Sequence, residues 1–158
     1  MRNILRFTLT VLALSCGFVS VHGQTTTQKP IERRVVHPPG VQPPPVPISP
    51  AIVAGDFVFT SGHLGIDPKT GQMAPGGVAA EAEQVLKNLT AVLEAAGSSM
   101  SHVLKTTVFL ADMNDYAVMN EVYRRHFSKD FPARSAIQVA KLPANGRIEI
   151  EAVAILKK

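Results

Sequence analysis

Eight prolines crowd the stretch between Gln24 and Pro50, next to the run Thr25-Thr26-Thr27 and without apolar periodicity. Proline restricts φ to about −65° and has no N–H to give to a ladder or a helical turn, so a segment this rich in it is a poor source of interior strands or helices. The sequence therefore predicts an extended, proline-rich arm over residues 24–47. Any hydrophobic core has to come from residues 48–158, a length that suits one ordinary domain. No internal repeat and no second linker interrupts that span.

Ahead of the arm, Arg2 and Arg6 precede an apolar stretch from Phe7 to Val21 that ends in Val21-His22-Gly23. This is the pattern of a secretory signal peptide over residues 1–23, cleaved before Gln24, and it predicts export to a periplasm or out of the cell. Thr8, Thr10 and Ser15 interrupt the stretch, which is short for a membrane span, so none is expected in the mature chain. Ala13-Leu14-Ser15-Cys16 weakly resembles a lipobox, and lipidation at Cys16 is the alternative fate of the leader. Cleavage leaves 14 Lys and Arg against 12 Asp and Glu, and no cysteine. Disulfides and thiol nucleophiles are thereby excluded from the mature chain. The remaining basic residues are scattered, with Arg33-Arg34, Arg124-Arg125 and Lys157-Lys158 the densest pairs, so nucleic acid is not an expected partner.

Within 48–158, Phe57-Val58-Phe59-Thr60-Ser61 reads as a buried strand, and Asp67-Pro68-Lys69-Thr70-Gly71 as a turn into a second, polar strand. Val78, Ala82, Val85, Leu86, Leu89, Val92, Leu93 and Ala96 recur at helical spacing, and Gly97 supplies the stop. Val103 to Leu110 has strand composition. Asp115 can cap a second helix with Tyr116, Met119, Tyr123 and Phe127 on one side, which Pro132 forbids from continuing. Strands from Arg134 to Val139 and from Ile148 to Leu156, joined by a turn at Leu142–Gly146, close the chain. The order β-β-α-β-α-β-β argues for an α+β fold with both helices on one face of one sheet. On the last strand Ile148, Ile150, Ala152 and Ala154 share an apolar face, while Glu149, Glu151, Val153 and Ile155 make the other face mixed. That mixed face needs cover, and suits a subunit interface with a site in it.

Few residues can carry chemistry. There is no His-Glu-x-x-His, no Cys or His pair at ligand spacing, no Gly-x-Ser-x-Gly elbow and no phosphate loop, so no metal or cofactor is expected. Ser61 ends a strand without a base at recognisable spacing, and reads as a turn residue or hydrogen-bond donor. Arg134 and Glu149 stand out because they interrupt apolar strands, where charge is expensive unless it is paired or binds something. One reading is a structural ion pair or edge-strand charge. The other is a small acid site, with a guanidinium fork for a substrate carboxylate and a carboxylate that positions or deprotonates water.

From Pro47 to Ile155 the chain resembles the RidA/YjgF family of reactive-intermediate deaminases. The resemblance rests on Ser49-Pro50-Ala51-Ile52 leading to Gly55-Asp56, on Phe59-Thr60-Ser61-Gly62, and on Asp67-Pro68-Lys69-Thr70-Gly71. It continues through Lys105 to Asp115, Asn120-Glu121-Val122-Tyr123, Phe131-Pro132-Ala133-Arg134-Ser135 and Ile148-Glu149-Ile150-Glu151-Ala152. The chain departs from the family at Ile48, where many members carry an aromatic residue, and at Ala136, often a cysteine.

The resemblance implies a chorismate-mutase-like homotrimer with ligand clefts between subunits. It implies hydrolysis of 2-imino or 2-enamino acids to 2-oxo acids and ammonia without a cofactor. Arg134 would bind the substrate carboxylate and Glu149 would orient the hydrolytic water, with Ser61, Gly62 and Asn120 near the cleft. A ligand-binding or chaperone-like trimer without catalysis is the alternative, and an endoribonuclease the third.

Overall fold

The computed structural model describes residues 30–41, 46–127 and 130–158. The leader, with Cys16, lies outside the described residues. Seven strands and two α-helices are present among them: β1 (Arg33–Val36), β2 (Ala51–Ala54), β3 (Phe57–Thr60), β4 (His63–Leu64), α1 (Gly77–Ala96), β5 (Val103–Leu110), α2 (Tyr116–His126), β6 (Ala133–Gln138) and β7 (Ile148–Ile155). The sheet runs β1-β2-β3-β7-β5-β6, with β4 also paired to β7. Every pairing is antiparallel except β5 with β6. A parallel pair needs a crossover, and α2 supplies it.

Both helices lie on one face of this mixed sheet. The apolar stripe of α1 packs down onto the inward face of the sheet, and Leu86, Leu89, Leu93, Val58, Val108, Ile148 and Ile150 are all fully buried. Gly97 ends α1 in the left-handed region, at φ 92°, and donates its N–H back to the last turn. Such a conformation is open to glycine at almost no steric cost. The opposite sheet face is open. Phe57 and Phe59 stand there 45% exposed, beside Val153 and Ile155 across the β3–β7 ladder, with Glu149 and Glu151 further along β7.

Two expectations need correction. The fold begins at β1, not at residue 48: Arg33–Val36 pairs along its whole length with Ala51–Ala54, and Val36 is buried in the core. The prolines conceal this because they flank a proline-free window, Ile31–His37, long enough for one edge strand. Arg34 then ties that strand to the end of α1, its guanidinium donating to the Ala96 carbonyl at 3.0 Å, where the helix dipole favours a cation. The second correction concerns the strands before α1. Beyond the turn at Asp67–Gly71 there is only a single bridge, Ile66 to Met73. β3 forms its hairpin with β2, reached through a tight turn at Gly55, where φ is 58°, and pairs on its other side with β7.

Candidate active site

Arg134 sits on β6 directly beside Thr106 of β5, and therefore faces the helices. Its guanidinium meets a stripe of α2 formed by residues one and two turns apart. One terminal nitrogen, Nη2, donates to Asn120 Oδ1 at 2.7 Å and to the Tyr116 hydroxyl at 3.2 Å, while Nη1 lies 3.7 Å from Met119 Sδ. The cation stands over the Tyr123 ring, 4.6 Å from its centroid, and 5.6 Å from that of Tyr116. All these partners are neutral. Among the described residues Arg134 forms no ion pair, so its charge is left available to an anion. Its donors are partly spent, however: α2 takes both Nη2 protons, leaving Nε–H and one proton of Nη1.

Glu149 lies on β7 opposite Phe109 of β5 and Leu64 of β4, on the open face. Burial pushes its carboxyl above the ordinary glutamate range, and the neighbouring charge of Glu151 adds to this. The carboxylate rests against Gly62, where any Cβ would collide with Oε1. Gly62 thus leaves the space in which the Glu149 carboxylate rests, and a side chain there would have to displace it. Ser61, next to it, donates its hydroxyl to the Ser49 carbonyl at 2.7 Å, which holds the entry to β2 against the exit of β3. His63 follows, with Nε2 buried and without a hydrogen-bond partner. Burial holds that imidazole below its ordinary pKa, opposed by a hydrogen bond to Pro50.

The sequence-derived site residues therefore fall into two groups. Arg134 and Asn120 come together on the helix side. Gly62 and Glu149 come together on the open side, with Ser61 adjoining. Arg134 is in register with Thr106, and Thr106 with Ala152, three residues along β7 from Glu149. That offset is roughly 10 Å along the strand and about as much across two strand spacings, on opposite faces. A single chain cannot aim both groups at one small molecule, nor does it pair them as a salt bridge.

A small cleft of about 130 Å³ on the open face, lined by Phe59, Thr60, Lys105, Thr107, Glu151, Ala152 and Val153, is below the size usual for a ligand site. Residues to which the sequence assigns no site role enter the arrangement: Tyr116 and Tyr123, which it places on one side of a helix, and Thr106, which it places in a strand. Tyrosines seven residues apart bracket Asn120 on one helix face, but a helix–sheet core uses the same spacing, so the sequence does not single them out.

The profile of the family described as endoribonuclease L-PSP matches residues 41–156. The human protein named 2-iminobutanoate/2-iminopropanoate deaminase is 52% identical over 109 residues, covering 69% of this chain and 80% of the human one. Among solved structures, RidA from an Antarctic Psychrobacter superposes with a TM-score of 0.74 at 40% identity, covering 78% of this chain and 99% of that one. Escherichia coli TdcF with bound serine superposes at 0.73 and 36% identity, covering 78% and 99%. With a family match over most of its length and the fold to accompany it, the chain belongs to the endoribonuclease L-PSP family, the RidA/YjgF group.

Proposed function

We propose that this protein hydrolyses reactive 2-imino and 2-enamino acids to 2-oxo acids and ammonia, in clefts where the Arg134 side of one copy meets the Glu149 side of another within a homotrimer. The observation that carries the reading is Arg134, a cation oriented entirely by neutral groups, so that its charge is uncompensated. Its free N–H groups suit a carboxylate, and the relatives named as 2-iminobutanoate/2-iminopropanoate deaminases act on substrates of that chemistry. TdcF was crystallised with serine, a small amino acid.

The protein chemistry required is modest. An iminium carbon is already electrophilic, so water need only be held against it and relieved of a proton. Glu149 takes that proton as the water oxygen bonds to the carbon. The same proton then passes to the nitrogen; as the C–N bond breaks and ammonia leaves, the carbinol O–H gives its own proton to the Glu149 carboxylate, the C=O forms and the 2-oxo acid remains, with the proton released to the ammonia as ammonium. A carboxyl with a raised pKa is well matched to taking up and returning one proton. Gly62, by admitting Glu149 so closely, supports its placement. No metal or cofactor enters this scheme.

The test is to generate 2-iminopropanoate or 2-iminobutanoate with an amino-acid oxidase and follow its decay with and without the protein. Accelerated decay, together with a trimer by light scattering, supports the proposal. Carboxylate binding without acceleration would leave a ligand-binding trimer, and cleavage of RNA with inert imines would favour the endoribonuclease.

We further infer that residues 1–23 direct export, on the strength of Arg2, Arg6 and the apolar stretch that follows them. Mass spectrometry of the exported protein should find Gln24 at its N-terminus. An acylated Cys16 there would replace signal-peptide cleavage with lipidation.

A further inference from the structure

Thr106 is fully buried on the helix-facing side of β5, where the next residues on that side, Val108 and Leu110, are aliphatic. A hydroxyl in such a place costs free energy unless it is bonded. Its partner is the Tyr123 hydroxyl, 2.8 Å away in the interior, and Tyr123 is itself 4% exposed. Burial pushes the Tyr123 phenol up, so it stays protonated. For packing alone, valine and phenylalanine of the same outlines would serve. The pair of hydroxyls does something they cannot: it anchors the far end of the Tyr123 ring to the strand beside β6.

That ring is the surface on which the Arg134 guanidinium rests. Cation–π attraction holds a cation over the face of a ring but does not say where the ring itself must lie. The anchor does, because Thr106 and Arg134 are direct neighbours in the β5–β6 register. We propose that the buried Thr106–Tyr123 hydrogen bond is a positioning pair, which fixes the seat of Arg134 and so sets how tightly the site grips a substrate carboxylate. The proposal rests on the deaminase reading above for its substrate. Arg134 would hold the carboxylate equally before and during the reaction, so loss of the anchor should weaken binding and spare the chemical step.

The experiment measures imine hydrolysis, affinity for 2-oxobutanoate and melting temperature for the wild type and for Thr106→Val, Tyr123→Phe, Thr106→Ser and the double variant Thr106→Val with Tyr123→Phe. Removing either hydroxyl should raise KM and the 2-oxobutanoate Kd about tenfold, with kcat within about threefold of wild type. Thr106→Ser keeps the hydroxyl but opens a methyl-sized gap, so it should melt lower yet keep KM. The double variant leaves no buried hydroxyl unpaired, so it should melt above either single hydroxyl deletion while KM stays raised. KM values that are unchanged, or that follow melting temperature across the set, overturn the positioning role while leaving the deaminase reading intact. A wild type that binds 2-oxobutanoate without hydrolysing imines, with affinity still set by the hydroxyls, upholds the positioning role and removes the reaction. A wild type that does neither overturns both.

Discussion

Arg134 and Glu149 interrupt apolar strands for different reasons, and their substitution should separate them. Arg134→Lys puts a compact ammonium where a planar guanidinium spans Tyr116, Asn120 and the Tyr123 ring, so the fold should persist while imine hydrolysis falls by about a hundredfold. Glu149→Gln keeps shape and hydrogen bonding but cannot accept the water's proton, so carboxylates should still bind while turnover drops about a hundredfold or more. The raised pKa of Glu149 also makes a statement about stability. Between the unfolded and the folded pKa the native state holds the proton more tightly, so stability from this group is full at low pH and is lost as pH rises through the folded value. Glu149→Gln should therefore melt higher than wild type at pH 7, and the difference should shrink in acid. A structural ion pair would give the opposite result, a loss at pH 7. The isolated charges were legible in the sequence as anomalies. What held them was not, because Tyr116, Tyr123 and Thr106 fit a helix–sheet core as well as they fit a guanidinium seat.

At the scale of elements, the close approach of the β3–β4 connection to β7 is the feature most exposed to change. Gly62→Ala places a methyl against the Glu149 carboxylate, the mobile end of its side chain, so it should displace that carboxylate and depress activity with little loss of stability, as a melting curve and an assay on the same sample would show. β1 makes a second case. A chain beginning at Ser49 loses the ladder to β2, the burial of Val36 and the Arg34 bond to the end of α1. It should melt well below one beginning at Ile31, by thermal denaturation. The helix α1 is legible in the sequence because twenty residues carry one apolar stripe closed by Gly97. The four-residue β1 is not, because prolines flank it and strand pattern over so few residues is weak.

For the whole molecule, the proposed trimer rests on the open sheet face. Phe57 and Phe59, with ring centroids 6.2 Å apart, and Ile137 on the edge strand leave apolar surface uncovered, of the sort that marks protein contact. If the proposed trimer uses this face, Phe59→Glu should shift light scattering from trimer to monomer and abolish imine hydrolysis, yet leave the circular dichroism of the fold, since Phe59 points away from the core. Among the described residues no helix is long and apolar enough to cross a membrane. By itself, the sequence determined the helices, the long strands, the alternation of β7 and the identity of the charged residues, because hydrophobic period and turn chemistry are local properties that survive in one dimension. Only the tertiary structure decided that Arg134 and Glu149 look out from opposite faces of one sheet, that a proline-bounded window closes its edge, and that Tyr123 is pinned by Thr106. Each depends on which strands lie side by side and in what register, and pairing between distant segments is set by the packing of the whole core rather than by any stretch of chain.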